Sequence, residues 1–534
     1  MVIRISHSQH PNLSMKKNSP KPDRQPNAVT PPPTALPAES CKPPTLRNLF
    51  AIDPRSLALF RIAIGLLLLA DLLVRATDLT AMYTDDGMFP RAVIHHHFTS
   101  IWIWSFHFGS GTWAFQAVLF GIAAVLALAL LVGFKTRWVV IGSWLMLMSV
   151  QNRVPPILYG GDHILRMLLF WAMFLPLERV WSVDTWLKNR RGNAVEESDW
   201  SPVLSVASAA ILLQMALMYL CSAIYKSNPD WFQGGVITGT LAHDFYAKPL
   251  AAWALHFPQL LTGLTWGTFL LEWAGPLLLF VPWRTVWVRL AVVTALAAMH
   301  LGIELLLTVG LFSFVALAGL TLFLPAVFWN SRLFARFPLP TGQHKVPTSS
   351  GNEPSALHWA SQGLCGLLLI YVLAVNLAGL FGRSQPNRRI PGSRFLNEAG
   401  GLAQKWNMFE DTPSKDGWYV ARALLNDRSE VDLLRQGTPV NWERPVCPAV
   451  LYPNHRWRQL FREMSYEDAL GYQVFRQPVA EFICRRWNTQ HPPPRQVSKF
   501  EFIYSIETSS INENGSKVDV TVRERLLRIN VSGK

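Results

Sequence analysis

Charge and cysteine are both scarce in this chain. Charged residues make up 16% of its 534 residues, against about a quarter in soluble domains, which excludes an ordinary cytosolic enzyme. The five cysteines, Cys41, Cys221, Cys365, Cys447 and Cys484, form no CxxC pair. Neither a zinc ribbon nor a disulfide scaffold is implied. Acidic residues number 35 against 49 basic ones, a formal charge of +14, yet the basic residues punctuate apolar stretches instead of gathering on one face, so no nucleic-acid partner is expected. Residues 1–50 lack a continuous apolar run that would serve as a secretory signal. Rich in Pro, Lys and Arg, they read as a disordered cytoplasmic tail.

What is abundant is apolar and aromatic. Hydrophobic residues are 50% of the chain and Trp alone numbers 22, as suits a protein whose amphipathic rings sit at bilayer interfaces. A helix satisfies its own backbone in hydrocarbon and needs roughly twenty apolar residues to cross. Stretches of about that length recur near 56–76, 113–134, 138–151, 164–182, 202–225, 258–282, 286–303, 306–329 and 357–381. The fold class expected is an all-α polytopic membrane bundle of about nine transmembrane helices over 51–382, followed by a small α+β soluble domain over 383–534.

Lys and Arg stay preferentially cytoplasmic. Lys135, Arg137, Lys188, Arg190, Arg191, Arg284, Arg289, Arg332, Arg336 and Lys345 fall on alternate connections. That pattern places the N-terminus in the cytoplasm and the C-terminal domain outside an inner (plasma) membrane. In the C-terminal domain, Trp418–Leu425 with Glu430–Leu434, and Phe500–Ile506 with Val518–Val522, alternate as two hairpins. Residues 457–487 read as helix, broken near Gly471 and Pro478. Outside the cytoplasm, Cys447 and Cys484 become candidates to pair.

An ionisable residue within a span is costly and normally finds a partner inside the bundle. Arg61 and Asp71 lie ~15 Å apart along one helix, too far to pair directly, and read as interhelical packing contacts. Asp162 with Arg166, and His300 with Glu304, stand at i and i+4, where side chains share a face. Glu272 reads as a packing residue nearer the cytoplasmic side. The run His95-His96-His97 reads as an interfacial surface stretch, because adjacent helical residues diverge by about 100° and make poor shared ligands; no metal is expected. Lys226 ends an apolar run and precedes Ser227-Asn228-Pro229-Asp230-Trp231. It is either a snorkelling anchor or a desolvated amine that gives up its proton and serves as a base. Under the expected topology Lys226, Asp162, Arg166, His300 and Glu304 all fall in the outer half, which suggests a single extracytoplasmic site.

Several motifs, in order, resemble the membrane part of the vitamin K-dependent gamma-glutamyl carboxylase, and more closely its bacterial relatives, the horizontally transferred transmembrane domain (HTTM) proteins. They are Phe60-Arg61 with Gly65 and Asp71, Trp181-Ser182-Val183-Asp184, Tyr219 through Trp231 with Gly234, and His300 followed by Gly310-Leu311-Phe312-Ser313-Phe314-Val315. The resemblance runs from about Leu57 to Trp329. Gln404-Lys405-Trp406-Asn407-Met408-Phe409 and Asp416-Gly417-Trp418-Tyr419 look like the bacterial branch.

The resemblance implies a lyase that couples quinol oxygenation and epoxidation to proton abstraction and carboxylation of glutamate. Its cofactor would be a reduced quinone of the vitamin K or menaquinol type, with O2 and CO2 as co-substrates, and its partner an exported peptide or protein. Lys226 falls where the family has the base, the second of two lysines; the first is Tyr225 here. His300 and Glu304 would support it, and Asp162, Arg166, Asp230 and Trp231 would bind substrate or cofactor. The chain departs from the family at Asn152-Arg153, where an Asn-His pair is usual, and at Ile303, where the animal enzyme has Asn. A rival reading is a non-enzymatic membrane protein that holds lipid or quinone in its bundle and a partner on its C-terminal domain. A transporter is disfavoured, because the spans show no clear inverted repeat.

Overall fold

A computed structural model describes residues 49–191, 201–243, 246–332, 356–381, 392–410, 416–445, 451–465, 471–511 and 517–531. The expected tail, apart from its last two residues, and Cys447 lie outside the described residues. The longer helices of the bundle are α1 Pro54–Ala76, α2 Trp113–Val132, α3 Thr136–Arg153, α4 Gly160–Ala172, α5 Val206–Tyr225, α6 Pro258–Leu278, α7 Thr285–Leu306, α8 Phe312–Leu320 and α9 Ala356–Phe381. Among the described residues, five helices are long and apolar enough to cross a membrane: α1, α2, α5, α7 and the Trp359–Leu380 stretch of α9.

The expected count of nine is not reached, for physical reasons that differ between stretches. α4 ends at Ala172, after 13 residues. α8 has only 9 residues before it tightens into a 3-10 turn. α3 ends in the polar run Gln151-Asn152-Arg153, and α6 carries Gln259, three threonines and Glu272 among its apolar residues.

Local chemistry sets the helix ends. Asp53 caps α1 by accepting from the Arg55 backbone N–H, with Pro54 at the first helical position, where its missing N–H costs nothing. Ser205 caps α5 by accepting from the Ser208 N–H at 3.0 Å. α1 and α2 pack unusually close at Gly65, where a Cβ would fall 2.8 Å from Leu131 Cα. Arg61 does not reach toward Asp71. Its guanidinium donates to the Leu130 and Leu131 carbonyls at 3.0 Å each and to Trp181 O at 2.6 Å, satisfying the exposed end of α2. Asp184 accepts from the Lys135 and Thr136 N–H groups at 2.8 and 2.9 Å, capping α3. Two of the quoted motifs thus build one corner of the scaffold.

The C-terminal domain is an antiparallel five-stranded sheet ordered β3-β2-β1-β4-β5. The strands are β1 Asp416–Leu425, β2 Glu430–Asp432, β3 Thr438–Pro439, β4 Val497–Ile511 and β5 Lys517–Asn530. Both expected hairpins form, β1 with β2 and β4 with β5. The helices α10 His455–Ser465 and α11 Arg476–Gln490 pack on the sheet. Gly471 marks the break between them, with φ of 64°. Pro478 is not a second break: it sits in the first turn of α11, where backbone N–H groups have no helical partner. The domain's core is continuous with Met82, Tyr83, Met88 and Phe89 from the connection after α1.

What locks the domain to the bundle is a buried group of four charges. Arg75 binds Asp71 and Asp162 at 2.7 Å each, and Arg456 of α10 binds Asp162 at 3.0 Å and also Asp71. All four are at most 3% exposed. Asp162 therefore pairs with Arg75 and Arg456, not with Arg166 one turn away. Two positive and two negative charges balance only when the soluble domain supplies Arg456.

Removing one member of such a group leaves a buried charge uncompensated, at a cost of about 3–5 kcal/mol. Arg456→Met should therefore lower the thermal midpoint of the detergent-solubilised protein markedly, and an unchanged midpoint would refute the lock. Next to it, burial, reinforced by Arg456 and Arg458, pushes His455 from 6.5 down to about 3. Across that window the unfolded chain binds a proton that the folded chain refuses, so stability should fall as pH drops from 6.5 toward 3. His455→Gln should flatten that part of the unfolding-versus-pH curve.

Candidate functional site

α5 ends at Tyr225, and the next residue, Lys226, is only 3% exposed. Its Nζ lies 2.6 Å from both carboxylate oxygens of Glu272 on α6 and 2.8 Å from Ser222 Oγ one turn back. The Trp231 ring faces the same ammonium at 5.1 Å, a cation–π distance. Snorkelling to the surface is thus excluded; the amine is turned inward.

Glu272, expected as a packing residue, does join two helices, and its partner is Lys226. Between α5 and α6 the chain makes the short helices Pro229–Phe232, Val236–Ala242 and Pro249–Ala254. α6 therefore starts beyond the end of α5, and Glu272, well along α6, comes level with Lys226.

The pair lines a cavity of about 370 Å³. Its wall is mostly apolar, with Met218, Leu271, Met299 and Phe312 among its residues. His300 and Tyr219 line it as well, joined by a 2.8 Å hydrogen bond between the Tyr219 hydroxyl and His300 Nε2. His300 Nδ1 is buried without a hydrogen-bond partner. One side of the wall comes from beyond the bundle: Met408 and Phe409, after α9, line the cavity. The Trp231 indole N–H donates to the Phe409 and Glu410 carbonyls at 3.0 and 3.2 Å, and Asn228 donates to Glu410 O at 2.7 Å. Phe409 holds φ of 54°, in the left-handed region that costs a bulky residue free energy.

Of the seven expected site residues, the structure brings together Lys226, His300 and Trp231. Glu304 is displaced from His300 and pairs with Lys248 at 2.8 Å. Asp162 belongs to the four-charge group. Arg166 donates to Gln151 Oε1 at 3.0 Å and to Ala403 O at 3.1 Å. Asp230 lies half-buried in the first turn of a four-residue helix and does not line the cavity. The single outer site is therefore divided. Asn152 and Arg153 bind the carbonyls of Trp104, Tyr83 and Phe89 and also stay off the cavity wall. His95 and His96 are exposed, and His95 packs on Phe108 at 4.6 Å. Among the described residues, no three metal-ligating side chains come together.

Comparison with known families matches residues 50–329 to the HTTM domain. The chain belongs to the HTTM family. That membership makes it a membrane protein of the carboxylase-related group, since a relation to the gamma-carboxylase family is consistent with the domain. No curated protein and no solved structure matches the chain. The matched HTTM region contains the Lys226–Glu272 pair and most of the cavity, but stops before Met408 and Phe409.

The cavity of this HTTM protein also reaches the bundle surface. Gly267 on α6 and Gly302 on α7 both line it, and a Cβ at either position would meet nothing within 4 Å. Gly267 is exposed. Gly267→Trp and Gly302→Trp should therefore obstruct a side opening between α6 and α7 without touching Lys226. Stopped-flow quenching of protein fluorescence by a small apolar quencher should show entry at least about tenfold slower, a change of about 1.4 kcal/mol in the barrier. Unchanged rates in both variants would place the route elsewhere.

Proposed function

We propose that this HTTM protein is a carboxylase-like enzyme that deprotonates a lipid quinol at Lys226 and couples its oxygenation to proton abstraction from, and carboxylation of, peptide glutamate. The observation that carries this reading is one buried amine on the wall of a mostly apolar cavity. The residues present fit a reduced quinone: Met218, Leu271 and Phe312 offer apolar and aromatic surface, while Ser222, Tyr219 and Lys226 offer hydrogen-bonding groups. When bound, the quinol with O2 would supply the strong base that removes a glutamate γ-proton before CO2 adds.

The chain's own part is narrower. Lys226 accepts a hydroxyl proton at Nζ. Ser222 and Glu272 fix the direction of that nitrogen, and the Tyr219–His300 pair orients polar groups along the wall. Met408 and Phe409 keep water out, and a strong base made in contact with water would be quenched at once. We place the protein in the plasma membrane with the C-terminal domain outside, where an exported peptide meets the cavity.

The Glu272 ion pair also favours a second reading, in which Lys226 is structural and the bundle merely binds lipid or quinone while the C-terminal domain binds a partner. Membranes carrying the protein, supplied with reduced quinone, a Glu-rich peptide and labelled bicarbonate, separate the two. The enzyme should incorporate label and form quinone epoxide. Lys226→Ala should reduce both by at least about 10²-fold, and Lys226→Arg, always protonated, should not restore them. Neither product from the wild type would leave the binding reading in place.

A further inference from the structure

As placed, the Lys226 amine is fully engaged. It donates to both Glu272 oxygens and to Ser222 Oγ, so in this arrangement it has no lone pair to offer. A base that begins as an ion pair must first move a proton, and the nearest acceptor is already in contact.

We propose that Lys226 and Glu272 act as one proton-accepting unit in which the Glu272 carboxylate is the final holder of the proton. The inference rests on the quinol reading for its substrate but not for its geometry. The proton balance is simple. Within the pair, one proton passes from Nζ across 2.6 Å to a Glu272 oxygen, leaving a neutral amine and a carboxylic acid. The amine then takes the ligand's hydroxyl proton and becomes an ammonium again. The N–H broken in the first transfer is replaced by the N–H formed in the second; the bonds changed overall are one ligand O–H broken and one Glu272 O–H formed. The pair goes from net neutral to net +1, while the ligand goes from neutral to −1.

That balance is what an apolar cavity demands. A charge separated from its counterion at low dielectric is costly, and here the ammonium stays beside the negative charge it helps to create. A lysine alone would have either to carry an unpaired buried charge or to shed its proton before a ligand arrives. Placing a carboxylate against it removes that cost and provides the store for the proton. Ser222 holds Nζ from the α5 side, so the amine keeps its position through both transfers. Tyr219 and His300 are the other titratable side chains on the same wall. They are joined to each other, and neither is a hydrogen-bond partner of Nζ, whereas Glu272 is in direct contact with it.

Infrared difference spectroscopy on the full chain in lipid nanodiscs tests this without turnover. The probe is 2-methyl-1-naphthol, which has the reacting hydroxyl but no second one to form a quinone, with its methyl ether as control. Naphthol binding should produce a carboxylic-acid C=O band that shifts when glutamate is carbon-13 labelled. The ether should bind without the band. Glu272→Gln should bind the naphthol and lose the band, and the labelling arm needs no variant should Glu272→Gln fail to fold. Saturated naphthol binding to the wild type with no such band overturns the inference. Turnover gives an independent arm, because two residues that work as a unit are not additive. The Lys226→Met, Glu272→Gln double variant should be no slower than the slower single variant. Full kcat in Glu272→Gln, with Lys226→Met inactive, overturns the inference and leaves the quinol reading standing. A naphthol-induced band in a protein that turns over no quinol does the reverse.

Discussion

A charge taken from water into an apolar bundle costs several kcal/mol unless an opposite charge or well-placed hydrogen-bonding groups meet it, and the architecture of this protein follows from how that cost is offset. Asp71 and Asp162 are met by Arg75 and Arg456, and Lys226 is met by Glu272. Each solution fixes a different feature. The first joins the soluble domain to the bundle. The second places a titratable pair on the wall of a cavity that is mostly apolar.

The two arrangements differ in what they leave possible. In the four-charge group every acid is bound by two arginines, whose guanidinium groups do not give up protons under ordinary conditions. It is a fastener. The Lys226–Glu272 pair joins an amine to a carboxylate, and it faces a cavity of about 370 Å³. The segment that closes this cavity, through Met408 and Phe409, comes from beyond the matched HTTM region. It is held there by Trp231 and Asn228, which lie within the Tyr219–Trp231 motif. The charge group and the cavity wall are therefore both places where the bundle and the C-terminal part are coupled, alongside contacts such as Arg166 to Ala403 O.

Much of this was legible in the residues. The apolar runs announced a membrane protein, the alternating strands announced both hairpins, and Lys226 stood out because a lysine closing an apolar run demands an explanation. Glu272 was equally visible as an acid within an apolar stretch, but spacing along the chain does not say where α6 begins relative to the end of α5. The i, i+4 spacing of Asp162 with Arg166 and of His300 with Glu304 suggested pairs that do not form. Helical spacing puts side chains on a common face without deciding which neighbour outcompetes the other. For Asp162 the winner, Arg456, lies 294 residues away.

The sequence by itself determined the class of the protein, because burial of apolar runs and capping of helix ends depend on residues close together in the chain. It also determined that its buried charges would need partners. Only the tertiary structure decided which partners those are, since Coulomb attraction depends on distance in space. The rotation of α6 against α5, and the reach of α10 back to α1 and α4, are set by packing of the whole molecule, of which no local pattern carries a record.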